Sequence, residues 1–124
     1  PNFKKWIRVN PNKNLLDAVF IEGHTDNQIF HGDTKENRNR MLSTSRSNAV
    51  YQAMVLENPQ LAQMKNSAGQ SLFSISGYGA DRPLPGHDHD TPTSDAANRR
   101  IEFRLIFEEP EMTPAEKKFI QMAK

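Results

Sequence analysis

The run LLDAVFIEG (residues 15–23) constrains this chain more than any other stretch. Its centre, Ala18-Val19-Phe20-Ile21, is unbroken apolar sequence ended by Gly23, and it reads as a strand buried on both faces. Such a strand needs cover above and below. Two further strands are expected. SLFSIS (71–76) runs into a GYG turn. RRIEFRLIF (99–107) alternates, with Ile101, Phe103, Leu105 and Phe107 on one face and Arg100, Glu102 and Arg104 on the other. Residues 27–41 (NQIFHGDTKENRNRM) are polar and Gly-broken, which predicts a loop with at most one helical turn. Ser43 is then placed to N-cap a helix through AVYQAMVLEN, stopped by Pro59, with Ala49, Val50, Ala53 and Met54 as its apolar stripe. Residues 61–65 suggest a second short helix. Thr113-Pro114-Ala115-Glu116 joins a capping box to Pro at the first helical position, so a last helix is expected to run to the C-terminus. Helices alternating with three strands predict an α/β (α+β) fold, a two-layer sandwich of a small mixed β-sheet packed with helices.

A chain of 124 residues suits one domain with one modest core, spanning residues 1–124. A net charge of +1 provides no global field for nucleic acid or an anionic membrane. With no cysteine, disulfides and Cys-based metal sites are excluded, and the compartment stays open. No apolar run approaches the roughly 20 residues that span a bilayer, and no signal peptide is visible. The chain opens at Pro1 without Met, as an excised piece of a longer protein would.

Two placements go against local preference. A buried strand has no packing need for His24, Thr25 and Asp26 at its tip. A helix beginning at Ser43 would carry Arg46 in its first turn, where the macrodipole disfavours a cation. Positions that break local rules are where function is sought.

Four motifs in order, IEGHTDN, NRNRMLSTSRSNAV, ISGYGADRP and AANRRIEFRL, resemble the successive signatures of the OmpA-like C-terminal domain. The resemblance covers residues 15–107 as a core, with 108–124 as a helical tail. It implies a periplasmic, non-catalytic domain that binds peptidoglycan through the diaminopimelate residue of a stem peptide. Such a domain anchors a membrane protein or motor stator complex to the cell wall, its membrane segment lying outside this chain. Carried over by position, the family's Asp falls on Asp26, its Arg on Arg46, the Asn of N-x-x-L-S-x-x-R on Asn39, and the first Arg of Asn-Arg-Arg on Arg99. Thr25 and Asn27 flank the Asp as in the family. The chemistry agrees: diaminopimelate ends in an ammonium and a carboxylate on one carbon. Asp26 can accept from the first, while Arg46 can offer the second a planar fork, joined by free N–H groups at the start of a 43–57 helix. The family's first strand, rich in Phe, Gly and Ser, has no counterpart before FKKWIRVN, so it is missing or replaced. A stator-like parent would imply a homodimer.

Other readings compete. Arg99 and Arg100 open a strand and point to opposite sides, so only one can reach the site, and the resemblance selects Arg99. His24 is expected to be packed and hydrogen-bonded, and Tyr78 to pack beside its turn. HDHD (87–90) is the best metal candidate. Adjacent loop residues rarely wrap one ion, so no metal and no cofactor is expected. A metal-dependent hydrolase acting on the cell wall through His24, Asp26, His31 and the HDHD loop is the alternative, but no HExxH or nucleophile context supports it. A nucleic-acid binder built on RNR and NRRIEFR lacks a concentrated basic patch.

Overall fold

The computed structural model describes residues 16–28, 35–108 and 114–123. Strand β1 (Leu16–His24) is followed by helix α1 (Lys35–Glu57), a 3₁₀ turn (Pro59–Gln63), β2 (Phe73–Gly77), β3 (Arg100–Phe107) and α2 (Pro114–Ala123). The sheet order is β2-β1-β3, with β1 parallel to β2 and antiparallel to β3. The sheet is therefore mixed, and α1 lies on β1 and β2 as the second layer. This is the α+β sandwich expected from the sequence. The amphipathic stretch at 3–10, and with it the question of what replaces the family's first strand, lies outside the described residues.

Residue alternation along β1 sorts the two faces. Val19 and Ile21 are fully buried, and Leu16, Val19 and Leu72 form a core cluster joined by Met64, Phe73 and Leu105. Fully burying one such side chain contributes about 1.5–3 kcal/mol. This core is small, so polar contacts must do part of the joining. On the opposite face Phe20 lies under the Arg104 guanidinium, 4.8 Å from its ring centroid. Glu22 is buried against Arg104 at 2.9 Å and receives the Tyr78 hydroxyl at 2.9 Å. The long Arg104 side chain of β3 thus covers part of this face.

Helix α1 corrects the sequence reading in three respects. It begins at Lys35, so residues 35–41 are helix and not loop. Ser43 is inside the helix and fully buried, and it caps nothing. The expected stripe is also displaced: Ala49 and Ala53 are exposed, Val50 and Met54 half-buried, while Asn39, Ser43 and Ser47 are buried. Those three repeat every four residues and form the inward face.

The reason is close approach. A Cβ built on Gly23 would run into the Ser43 carbonyl oxygen and lie 2.7 Å from Ser47 Oγ, and one on Gly77 would lie 2.5 Å from Thr44 N. Small residues on the helix meet glycines on the strands, and hydrogen bonds bridge the joint. Ser47 Oγ lies 2.8 Å from the Ser76 carbonyl on β2 and 3.1 Å from the Ser43 carbonyl, and Gly79 N donates to Ser43 Oγ at 3.0 Å. Gly79, at φ +60, makes the GYG turn under Arg40. Asn58 N still donates to Met54 O, and Pro59 then ends α1.

Candidate functional site

Beyond β1 the chain continues through Thr25 and Asp26, both only 4% exposed. Thr25 N donates to the Gly79 carbonyl at 2.9 Å, so the turn after β2 holds the tip of β1 in place. The Thr25 hydroxyl donates to the Asp26 carbonyl at 2.8 Å. The Asp26 carboxylate accepts from three sides. Oδ2 takes Arg99 Nη1 at 2.6 Å and the Asp95 main-chain N–H at 3.2 Å, and Oδ1 takes the Gln28 N–H at 3.3 Å. Arg99 also donates to Ser94 Oγ at 3.1 Å, and its side chain is 37% exposed. The result is a nearly enclosed anion whose counter-ion reaches solvent.

Asn27 serves the long loop between β2 and β3. Its Nδ2 donates to the His89 and Thr91 carbonyls at 3.0 and 3.1 Å, and its Oδ1 accepts Thr93 N at 2.7 Å. Asn98 pins the same loop, donating to the His87 carbonyl at 2.9 Å and accepting Leu84 N at 2.9 Å. At the loop's centre the Asp95 carboxylate faces His89 and His87. Those two imidazoles, His89 foremost, hold its carboxyl well below the usual range. Asn39, 1% exposed on α1, reaches the Gln28 carbonyl at 3.3 Å.

The six sequence-assigned residues therefore separate. Asp26 and Arg99 meet directly; Asn39 supports the segment beside them; Thr25 and Asn27 commit their side chains to the protein itself. Arg46 stands apart: it is exposed, and its side chain is bonded to no other described residue. Because α1 starts at Lys35, Arg46 lies well inside the helix, where main-chain N–H groups are already bonded along the helix. The expected first-turn placement, and the free N–H donors beside it, are corrected. By helical spacing Arg46 shares the face that carries Asn39 and Ser43.

Two shallow depressions, of about 300 and about 550 Å³, run along α1 and are lined by Arg38, Leu42 and Ser45, and by Thr44, Asn48 and Ile75. Neither of these two is lined by Asp26, Arg46 or Arg99. Asp95 and Ser94 were missed by sequence reasoning, although their place a few residues before Arg99 was a usable signal. The two arginines diverge as the alternation required: Arg100 turns to Glu102 at 2.6 Å and to the Arg82 carbonyl at 3.0 Å.

His24 departs from expectation. It is packed, 2% exposed and stacked on Tyr78 at 5.3 Å, with Arg82 over that ring at 3.9 Å. Neither of its ring nitrogens has a hydrogen-bond partner; Glu102 comes no nearer than 3.7 Å. Burial, then the Arg100 charge, pushes its pKa below the ordinary 6.5. The unfolded chain therefore takes up this proton first. Stability is full above pH 6.5 and falls as the pH drops below it, by up to about 1.4 kcal/mol per pH unit. Glu22 acts in a lower window: burial raises its pKa, but the Arg104 and Tyr78 bonds outweigh that and hold it below 4.5. His24→Phe keeps the stacked ring and removes both orphan nitrogens. It is expected to raise stability by about 1 kcal/mol and to flatten the melting temperature between pH 7 and 5. Thermal unfolding across that range checks it; an unchanged slope would place the titration elsewhere.

Among the described residues no helix is long and apolar enough to cross a membrane. Comparison with curated proteins and with solved structures gives no match. The OmpA family model matches residues 2–99. Domains of that family in general bind peptidoglycan and are not catalytic. The match takes in β1, α1, β2 and the loop up to Arg99, and with them all the partners that converge on Asp26: this chain belongs to the OmpA family.

Proposed function

We propose that this chain is a non-catalytic, periplasmic anchoring module that grips the diaminopimelate end of a peptidoglycan stem peptide and so ties a membrane protein or stator complex to the wall. The observation that carries this reading is the enclosed Asp26 carboxylate with a solvent-reaching arginine on it. An ammonium is the group best suited to join or replace Arg99 there, because it can donate to an oxygen already held in place by main-chain N–H groups. The carboxylate on the same carbon then needs a guanidinium within reach. Arg99, once shifted from Asp26, and Arg46, whose side chain no described residue engages, are the donors assigned to it. Thr25, Asn27 and Asn39 act as positioning residues, since their hydrogen bonds hold the tip and its neighbours. The hydrolase reading gains nothing: His24 is buried and stacked on Tyr78, and His31 lies outside the described residues.

Co-sedimentation with purified sacculi tests the proposal. The chain is expected to pellet with walls that carry diaminopimelate and to stay in solution with walls that carry lysine instead. Equal binding to both would remove the zwitterion from the argument. Arg46→Lys keeps the charge and loses the fork, and it is expected to weaken binding by roughly tenfold. An unchanged affinity would assign the carboxylate to Arg99 alone.

A further inference from the structure

The loop between β2 and β3 brings together three groups that the wall-binding reading does not use. His87 Nδ1 lies 2.8 Å and His89 Nε2 lies 2.7 Å from the same oxygen, Asp95 Oδ2. The candidate ligand atoms of all three residues fall within 4.8 Å of one another. We infer that His87, His89 and Asp95 form a binding site for a divalent transition-metal ion of the zinc type.

The donor set suits such an ion. Two imidazoles and one carboxylate are ligands for zinc, cobalt or nickel, whereas calcium and magnesium take oxygen ligands throughout. Three protein ligands leave at least one position for water. Zinc bonds of 2.0–2.1 Å in a tetrahedron set ligand atoms about 3.3 Å apart. The two nitrogen–oxygen spacings are some half an ångström shorter and all three candidate atoms lie within 4.8 Å of one another, so turns of the two rings bring them to that value. In that geometry each neutral imidazole turns the lone pair of its inner nitrogen to the metal and carries its one proton on the outer nitrogen.

The surroundings fix the ligands beforehand. Asp95 Oδ1 accepts Ala97 N at 3.0 Å, which leaves Oδ2 for the ion. Asn27 holds the carbonyl of His89 and Asn98 holds that of His87, so the backbone under both rings is pinned. Outer contacts of this kind orient metal ligands. The side chains are 42%, 31% and 11% exposed for His87, His89 and Asp95, so an ion can enter from solvent while the carboxylate is shielded. The sequence reading took HDHD as adjacent ligands and set it aside. The structure uses alternate residues of that stretch and takes its third ligand from Asp95, while Asp88 and Asp90 stay exposed.

The inference is independent of wall binding, and its test uses the whole chain stripped of metal with EDTA. Titration calorimetry with zinc chloride is expected to give saturable binding of one ion per chain. Cobalt(II) is expected to give the intense visible bands of a tetrahedral site, and zinc to raise the melting temperature. Loss of an outer-shell partner costs about 10–100-fold in metal affinity, so His87→Ala and His89→Ala, each removing a ligand, are expected to weaken binding by at least about tenfold. In both variants the zinc-induced rise in melting temperature should disappear. The rings are partly exposed, so both variants are expected to fold, and unfolding in the absence of metal verifies it. Absence of saturable binding by the folded parent chain would overturn the inference. So would unchanged binding by a folded His87→Ala/His89→Ala double variant, and the cluster would then be a hydrogen-bonded clamp alone.

Discussion

Asp26→Asn is expected to abolish sedimentation with diaminopimelate-containing sacculi while leaving unfolding cooperative. Asn keeps the planar shape and one acceptor oxygen, so one of the Asp95 and Gln28 N–H groups, which use different oxygens, keeps its acceptor and the other loses it, and the charge that holds Arg99 is gone. Removing one partner from a buried, hydrogen-bonded charge pair costs about 2–5 kcal/mol of binding, a loss of about thirtyfold at the least. The cost to the fold is smaller, about 1–2 kcal/mol, because Arg99 can turn to water when its partner is neutralised. Asp26→Ala should lose the same binding and somewhat more stability, since it takes both acceptor oxygens away. The measurement pairs the sacculus pellet with a denaturant curve for each variant. Retained binding by a folded Asp26→Asn chain would mean that the carboxylate orders the tip and does not contact the wall. Loss of cooperative unfolding would make it structural in a stronger sense, the anion around which the β2–β3 loop closes.

Gly23→Ala is expected to cost more stability than any other single methyl added to the described residues. The new Cβ would meet a main-chain carbonyl, that of Ser43, which cannot rotate away as a side chain can. Relief requires lifting α1 from the sheet, and that movement breaks the Ser47 and Ser43 hydrogen bonds that bridge the layers. Overpacking a tight site costs about 1–3 kcal/mol, and breaking the joint adds to it, so a loss of about 3–5 kcal/mol is expected. Against a total stability of about 5–15 kcal/mol, that leaves the domain marginal. Gly86→Ala provides the control. Its φ of +83 strains a side chain, but nothing lies within 4 Å of the added carbon, so about 1 kcal/mol is expected. Equal losses in urea unfolding would mean that α1 does not sit on Gly23 as described.

The sheet was legible because its strands carry their signal in local pattern. The apolar run of β1 and the alternation of β3 state both place and face, and pairing Ile21 with Phe103 and Val19 with Leu105 follows that alternation. Helix α1 was legible only from Ser43 onward. Its inward face buries Asn39, Ser43 and Ser47, polar residues that give no apolar stripe, and a serine before an apolar run reads locally as a cap. What makes serine right there is a glycine on another strand, which local sequence cannot express. The site divided in the same way. Asp26 and Arg99 came from motifs close to strand ends, so their meeting follows from the pairing of His24 with Arg100. Arg46 was expected in the first turn of its helix and lies well inside it, because the helix runs from Lys35 and not from Ser43. Asp95 went unseen since its company depends on how Asn27 and Asn98 fold the loop back.

The position of β1 between two partners has a mechanical consequence. Its main chain is bonded to β2 along one side and to β3 along the other, and those bonds lie across the strand. Tension applied at Asp26 along the strand axis would load both rows in shear, many bonds sharing the force at once. The same tension on an outer strand, directed away from the sheet, would open its bonds one after another like a zip. An attachment point at the tip of the middle strand is thus the place on this sheet from which a pull is hardest to turn into unravelling.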